Sequence, residues 1–215
     1  MIRALAVVLA TTPAAAQDLA SAVTRLEAAL AADPIIASCP ADIYRSRQVL
    51  LDRFLPKTDV GPEDCRSDPT ACVTACLDTA SGEACLAMAI MLEVDDTPHL
   101  LPARHAHALA CALGEAGGCT NRAAGIRNRP LPGDALSLQP FHEKAPCLLE
   151  SFTLACKGED SWGCAMLGQA YHLGDGTPPD SVLARRHYQA ACDLAAPDMD
   201  FPACTFAREA LATLP

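Results

Sequence analysis

The chain has 215 residues, and its 16 basic and 26 acidic side chains give a formal net charge of −10. That balance excludes a general nucleic-acid binder, whose affinity comes from clustered Lys and Arg that release counterions; the only lysines are Lys57, Lys144 and Lys157. Aromatic residues make up 4% of the chain, so a core has to be built from Ala, Leu, Val and Cys, and the length suits one domain or one continuous repeat array.

The first residues read as an address. Arg3, the short apolar run at 4–10 and the small residues Ala14, Ala15 and Ala16 ahead of Gln17 and Asp18 supply the three parts of an export signal. Cleavage is expected after Ala16, which makes 1–16 a signal peptide, 17–38 an N-terminal helix and linker, and 39–215 the folded array. The apolar run is too short to cross a bilayer and no later stretch of about 20 apolar residues follows it, so no membrane span is expected. The mature chain is expected in the periplasm or secreted. Its Ala-rich opening, near 18–32, reads as a helix.

All the cysteines follow the leader: Cys39, Cys65, Cys72, Cys76, Cys85, Cys111, Cys119, Cys147, Cys156, Cys164, Cys192 and Cys204. An even number in an exported chain reads as a disulfide framework. No CxxC pair and no CxxCH stretch is present, so neither a zinc site nor covalent haem attachment is indicated.

The cysteine spacing repeats. When 82–119 is laid on 161–204, Cys85 falls on Cys164, Ala89 on Gly168, Leu92 on Tyr171, and Ala110-Cys111 on Ala191-Cys192. A third copy, from Cys119 to Cys156, is longer by a Pro-rich stretch at 129–139, and a degenerate first copy runs from about Cys39 to Cys76. In the last copy Cys164, Leu167, Gly168 and Tyr171 recur at helical spacing, as do Leu183, Tyr188, Ala191 and Cys192. Between them Asp175-Gly176-Thr177-Pro178-Pro179 breaks the chain, and Asp180 or Ser181 caps the second helix. Each copy is therefore a helical hairpin. Hairpins of this kind bury their apolar faces by stacking, which predicts an all-α right-handed solenoid of about four hairpins, closed by a helix near 202–214.

Each second helix ends on a cysteine and each following first helix begins near one. The expected pairs are Cys76 with Cys85, Cys111 with Cys119, Cys156 with Cys164, and Cys192 with Cys204, because a short turn between antiparallel helices holds Cα atoms within disulfide reach. For the rest, a first-copy hairpin beginning near Ala41 and ending near Thr79 places Cys39 beside Cys72 and leaves Cys65 for Cys147. That last pair would have to bridge roughly 16–20 Å between helices one neighbour apart. The stretch at 129–139, with Pro130, Pro132 and Gly133, is expected to be a surface loop.

The run Cys156-Lys-Gly-Glu-Asp-Ser-Trp-Gly-Cys164-Ala-Met-Leu-Gly168-Gln-Ala170-Tyr171, continued by Gly174-Asp-Gly176-Thr, Ala184, Tyr188 and Ala191-Cys192, closely resembles the Sel1-like repeat. It is most similar to the disulfide-bridged, exported form found in Helicobacter cysteine-rich proteins. The match is strong over 156–192, looser over 76–119 and weak elsewhere. Val94-Asp95-Asp96 stands where the Gly-x-Gly turn belongs in the earlier copy, and the usual Lys before the second helix is missing. The resemblance implies a scaffold that binds a protein or peptide on its concave face, or else a β-lactam-binding protein or β-lactamase.

The residues themselves supply little chemistry. No serine has a Lys three positions on, as a serine β-lactamase needs; Ser151 leads to Leu154 and Ser161 to Cys164, and no G-x-S-x-G elbow exists. His105 and His107 are two apart, so on a helix they point to different sides and read as a surface pair rather than metal ligands. His142, His172 and His187 are isolated, with His187 beside Arg185 and Arg186 on a solvated face. Trp162, Tyr171 and Tyr188 read as packing aromatics, and Glu159-Asp160 and 198–200 as solubilising acids. No catalytic, metal or cofactor-binding residue is assigned, and no cofactor is expected. Mass spectrometry of protein isolated from its native host is expected to show a mature chain beginning at Gln17.

Overall fold

The structure, a computed structural model, describes residues 14–31, 33–51, 59–94 and 98–215. Most of the expected leader therefore lies outside the described residues. Every element among these residues is helical, and no strand occurs among them.

Helix α1 (Ala14–Ala31) is followed by a 3-10 turn (Pro34–Ala37) and two short helices, α2 (Pro40–Ile43) and α3 (Arg47–Leu51). After them come α4 (Pro62–Ser67), α5 (Pro69–Asp78), α6 (Gly82–Val94), α7 (Leu100–Ala112), α8 (Ala116–Asn128), α9 (Ala135–Leu138), α10 (Phe141–Lys157), α11 (Ser161–Leu173), α12 (Ser181–Ala195) and α13 (Pro202–Leu211). The long helices pack in order: α5 on α6, α6 on α7, α7 on α8, α8 on α10, α10 on α11, α11 on α12 and α12 on α13. Alternate members α6, α8, α11 and α13 also touch in succession.

The last pair shows why these residues form helices. The Asp160 carboxylate accepts from Gly163 N at 2.6 Å and caps α11, satisfying one of the amides that a helix start leaves open. Gly174, at φ +80°, ends α11 in the left-handed region that suits glycine. Asp180 then accepts from Val182 N and Leu183 N, both at 2.9 Å, and starts α12. Across the pair, the ring of fully buried Tyr188 lies so close to Gly168 that a Cβ there would sit 2.7 Å from Cδ1.

Six disulfides join all of the cysteines. Four tie a helix end to the start of the next long helix: Cys76–Cys85, Cys111–Cys119, Cys156–Cys164 and Cys192–Cys204, with Cα separations of 4.7, 4.6, 4.4 and 4.4 Å. The other two correct the expected pairing. Cys39 joins Cys147 rather than Cys72, and Cys65 joins Cys72 rather than Cys147. The cause is the first copy, which is not a hairpin. Its opening forms short turns, α5 packs on α1 instead of on a first-copy helix, and Cys39 is carried away. The break at Asp68-Pro69 folds α4 back on α5, which brings Cys65 to Cys72, seven residues on.

The insertion joins α8 to α10 and is exposed over most of its length, as expected of a surface loop, but it contains α9 and buries Asp134 and Ser137. Asp134 Oδ2 accepts from Arg104 Nη1 at 2.7 Å and from Arg122 Nη1 at 2.6 Å, while its Oδ1 accepts from Arg122 Nη2 at 2.7 Å. Arg104 reaches on to Arg129 O, and Lys144 Nζ donates to Ile126 O and Ser137 O, both at 2.9 Å. Burial pushes the Asp134 carboxyl up, but the hydrogen bonds and charges of Arg122 and Arg104 outweigh it and hold the group below the usual carboxylate range.

Removing one partner from such a cluster strands buried charge. Asp134→Ala is expected to cost about 3–5 kcal/mol in denaturant unfolding at neutral pH. Because the folded-state pKa lies below the unfolded value, this carboxylate's contribution is present above the unfolded carboxylate range and is lost as pH falls through the folded pKa. An acid titration of the wild type and of Asp134→Ala is thus expected to show their difference in stability shrinking at low pH.

Candidate binding cleft at the inter-hairpin turns

Residues 33–51 form a strap that lies over α7, α8 and α10. Prolines and short turns keep it from forming a long helix, so its backbone groups find partners on the array. Asp33 caps the 3-10 turn by accepting from Ile35 N at 3.1 Å. Ile36 O accepts from Arg122 Nη2 at 2.8 Å, and Ala41 N donates to Ser151 Oγ at 3.2 Å. Ile43 and Tyr44 pack on Cys111, Ala116, Cys119 and Ala155, and Cys39–Cys147 fixes the strap covalently to α10.

Two glycines admit the strap. Gly114 has φ +89°, and a Cβ there would lie 2.6 Å from Leu50 Cδ1 and 2.7 Å from Arg45 O. A Cβ on Gly158 would lie 2.9 Å from the Tyr44 hydroxyl. The strap thus comes down on the α7–α8 and α10–α11 turns and, with them, lines a cleft of about 610 Å³. Tyr44, Ser46, Arg47 and Gln48 form one wall, Gly114–Gly117 and 157–160 the floor, and Leu86 of α6 the far side.

The cleft carries both signs of charge. Arg47 pairs with Glu83 at 2.8 Å, and Lys157 is exposed at the rim. Burial pushes the Glu115 carboxyl up, opposed by Arg47 and reinforced by Glu83. Burial likewise raises Asp160, although Thr120 Oγ1 at 2.7 Å and Gly163 N pull the other way. The Tyr44 hydroxyl is raised by burial, then by Glu115, against Arg47. Each carboxyl takes its shift mainly from its own burial, and Asp160 is committed to capping α11. The arrangement is therefore suited to holding a ligand with polar backbone and mixed charge rather than to passing protons between paired acids.

The residues singled out in the sequence are scattered relative to this cleft. His107 is fully buried, not on the surface, with Nε2 3.4 Å from Glu93 Oε2; His105 is half-buried beside it in sequence. Among the described residues no group of three His, Cys, Asp or Glu side chains could hold a metal ion. His187 is stacked on Tyr171 with ring centres 5.5 Å apart instead of lying in solvent, His172 meets Tyr188 edge-on, and Trp162 packs on Phe206. His142 is exposed. Of the serines, Ser151 is buried and its hydroxyl donates to Cys147 O at 2.7 Å while accepting from Ala41 N. Of the acids, 198–200 are exposed, but Asp160 is a half-buried cap and not a solubilising charge.

Another cleft, of about 360 Å³, opens at the other ends of the helices, between Glu93, Arg104, Asn121, Asn128 and Arg129. Sequence reasoning passed over the strap and these two clefts. The one available signal was the close grouping of Pro34, Pro40 and Arg45–Arg47, which fits no hairpin. A scan of protein-family models finds no match for this chain, and no curated protein matches it.

Gly114→Ala places a side chain at φ +89° against Arg45 O. It is expected to destabilise the fold by about 1–3 kcal/mol and to loosen the strap, seen as a lower unfolding midpoint and faster amide exchange over 40–51.

Proposed function

We propose that this chain is an exported, disulfide-stapled repeat protein of the Sel1-like type, a right-handed solenoid that binds a protein or peptide and performs no chemistry of its own. The observation that carries the reading is the cleft at the inter-hairpin turns. Its walls offer an aromatic ring, an aliphatic side chain and both charges. Six disulfides fit an extracellular or secreted protein, and no helix among the described residues is long and apolar enough to cross a membrane. Support for the repeat type comes from the copy-to-copy alignment and from a like position for each of the four helix-to-helix disulfides.

The second reading implied by the resemblance is a β-lactam-binding protein or β-lactamase. Two placements weigh against hydrolysis. The Ser151 hydroxyl is committed to Cys147 O and Ala41 N, and the Lys144 ammonium is committed to two backbone carbonyls. A serine nucleophile needs its hydroxyl free and a base beside it.

Affinity capture from periplasmic extract, using the oxidised mature protein and a Lys157→Glu, Arg47→Glu variant in parallel, tests the binding reading. Specific partners are expected to be retained by the wild type and reduced about tenfold by the variant, a loss of about 1.4 kcal/mol. Nitrocefin turnover by the same oxidised protein is expected to stay at the buffer rate; sustained turnover would favour the hydrolase.

A further inference from the structure

We propose that Cys39–Cys147 is a redox latch: its reduction by a dithiol releases the 33–51 strap from the array and takes away one wall of the cleft. The proposal rests on the reading of that cleft as the binding site and deepens it by naming how it would be controlled.

The first observation is exposure. In each of the other five disulfides at least one cysteine is buried, and in Cys65–Cys72, Cys76–Cys85 and Cys111–Cys119 both are. Neither Cys39 nor Cys147 is buried. Thiol–disulfide exchange needs a thiolate to reach a sulfur, so access ranks this bond first for attack. The Ser151 hydroxyl lies 3.6 Å from Cys39 Sγ and 4.0 Å from Cys147 Sγ, and it can donate to a departing thiolate only by turning away from Cys147 O.

The second observation is what each bond holds. The four helix-to-helix disulfides close short turns between helices that are packed on one another anyway, so cutting one leaves its ends in place. Cys39–Cys147 joins segments 108 residues apart. The strap it anchors contains α2, a helix of only four residues, too short to persist alone. Without the bond, the strap is held by the side-chain hydrogen bonds of Arg122 and Ser151, by the exposed Arg47–Glu83 pair, and by the packing of Pro40, Ile43, Tyr44 and Leu50. A segment of short turns opens locally at lower cost than the long packed helices beneath it.

The step balances with a dithiol as reductant. One thiolate attacks Cys39 Sγ or Cys147 Sγ, forming a mixed disulfide and expelling the other cysteine as thiolate. The second thiol of the reductant then displaces the bound cysteine, closing the reductant's own disulfide. Two electrons pass from the dithiol to the cystine, and the two cysteine thiolates take up the two protons that the dithiol gave up.

The test uses the oxidised mature protein and needs no partner. Dithiothreitol is raised in steps, free thiols are trapped with N-ethylmaleimide, and the alkylated cysteines are mapped by mass spectrometry alongside hydrogen exchange and brief trypsin digestion. Cys39 and Cys147 are expected to alkylate together and before any other pair. At that point 33–51 should exchange about tenfold faster and trypsin should cut at Arg45 and Arg47, while 82–94 and 161–195 keep their protection. A Cys39→Ser, Cys147→Ser double variant is expected to show the open strap without reductant. Should it fail to fold, the titration of the wild type still decides. Earlier alkylation of another pair, or a strap that stays protected once Cys39 and Cys147 are alkylated, would overturn the latch. Failure of the partner capture described above would bear on the binding reading alone.

Discussion

The spacing between successive helices is set by a single small residue. Ahead of the second cysteine in each helix-to-helix disulfide stand Ala84, Gly118, Gly163 and Ala203. A Cβ on Gly118 would lie 2.7 Å from Ala110 Cβ and from Cys111 N, and one on Gly163 would lie 2.7 Å from Ala155 Cβ and 2.9 Å from Cys156 N. Contact at backbone distance brings the two cysteine Cα atoms to 4.4–4.7 Å. The disulfide records this approach as much as it enforces it. A core with few large aromatics is the same constraint seen in composition, because at these contact points close-packed helices leave room for little beyond Ala and Gly.

Where the helices cannot approach so closely, charge fills the space. The insertion between α8 and α10 is held in by one carboxylate that serves two guanidinium groups, with a lysine ammonium donating to backbone carbonyls on both sides. A buried cluster of this kind adds little net stability over an apolar one, yet it accepts only one arrangement of its members. It therefore fixes the register of the insertion against α7 and α8. Arg122 carries that register to the strap through Ile36 O.

Much of the helical order was legible in the sequence because its signals are local. Cysteine spacing, the breaker cluster before Asp180 and the helical recurrence around Cys164 each span a few turns, and the helices and turns formed there follow from them. Cys39 was misassigned for the opposite reason. Its partner is 108 residues away, and the expected Cys72 pairing assumed a longer helix where α2 ends at Ile43. The buried role of Arg104, Arg122 and Asp134 was also hidden, since their partners come from different helices and nothing near each residue announces the others. Glu159-Asp160 looked like surface charge because a capping carboxylate and a solubilising one are the same residue type in sequence; only the position of Gly163 N separates them.

Seen as a covalent graph, the molecule is a ring with two small loops beyond it. Cys39–Cys147 closes the ring around α2 to α9, and every peptide bond between those cysteines lies within it. A protease that cuts anywhere inside the ring opens it without dividing the molecule, so the pieces remain one species and the helices on either side of the nick keep their neighbours. For a chain whose surroundings contain proteases, survival of a first cut follows from one long-range bond rather than from resistance at any particular site.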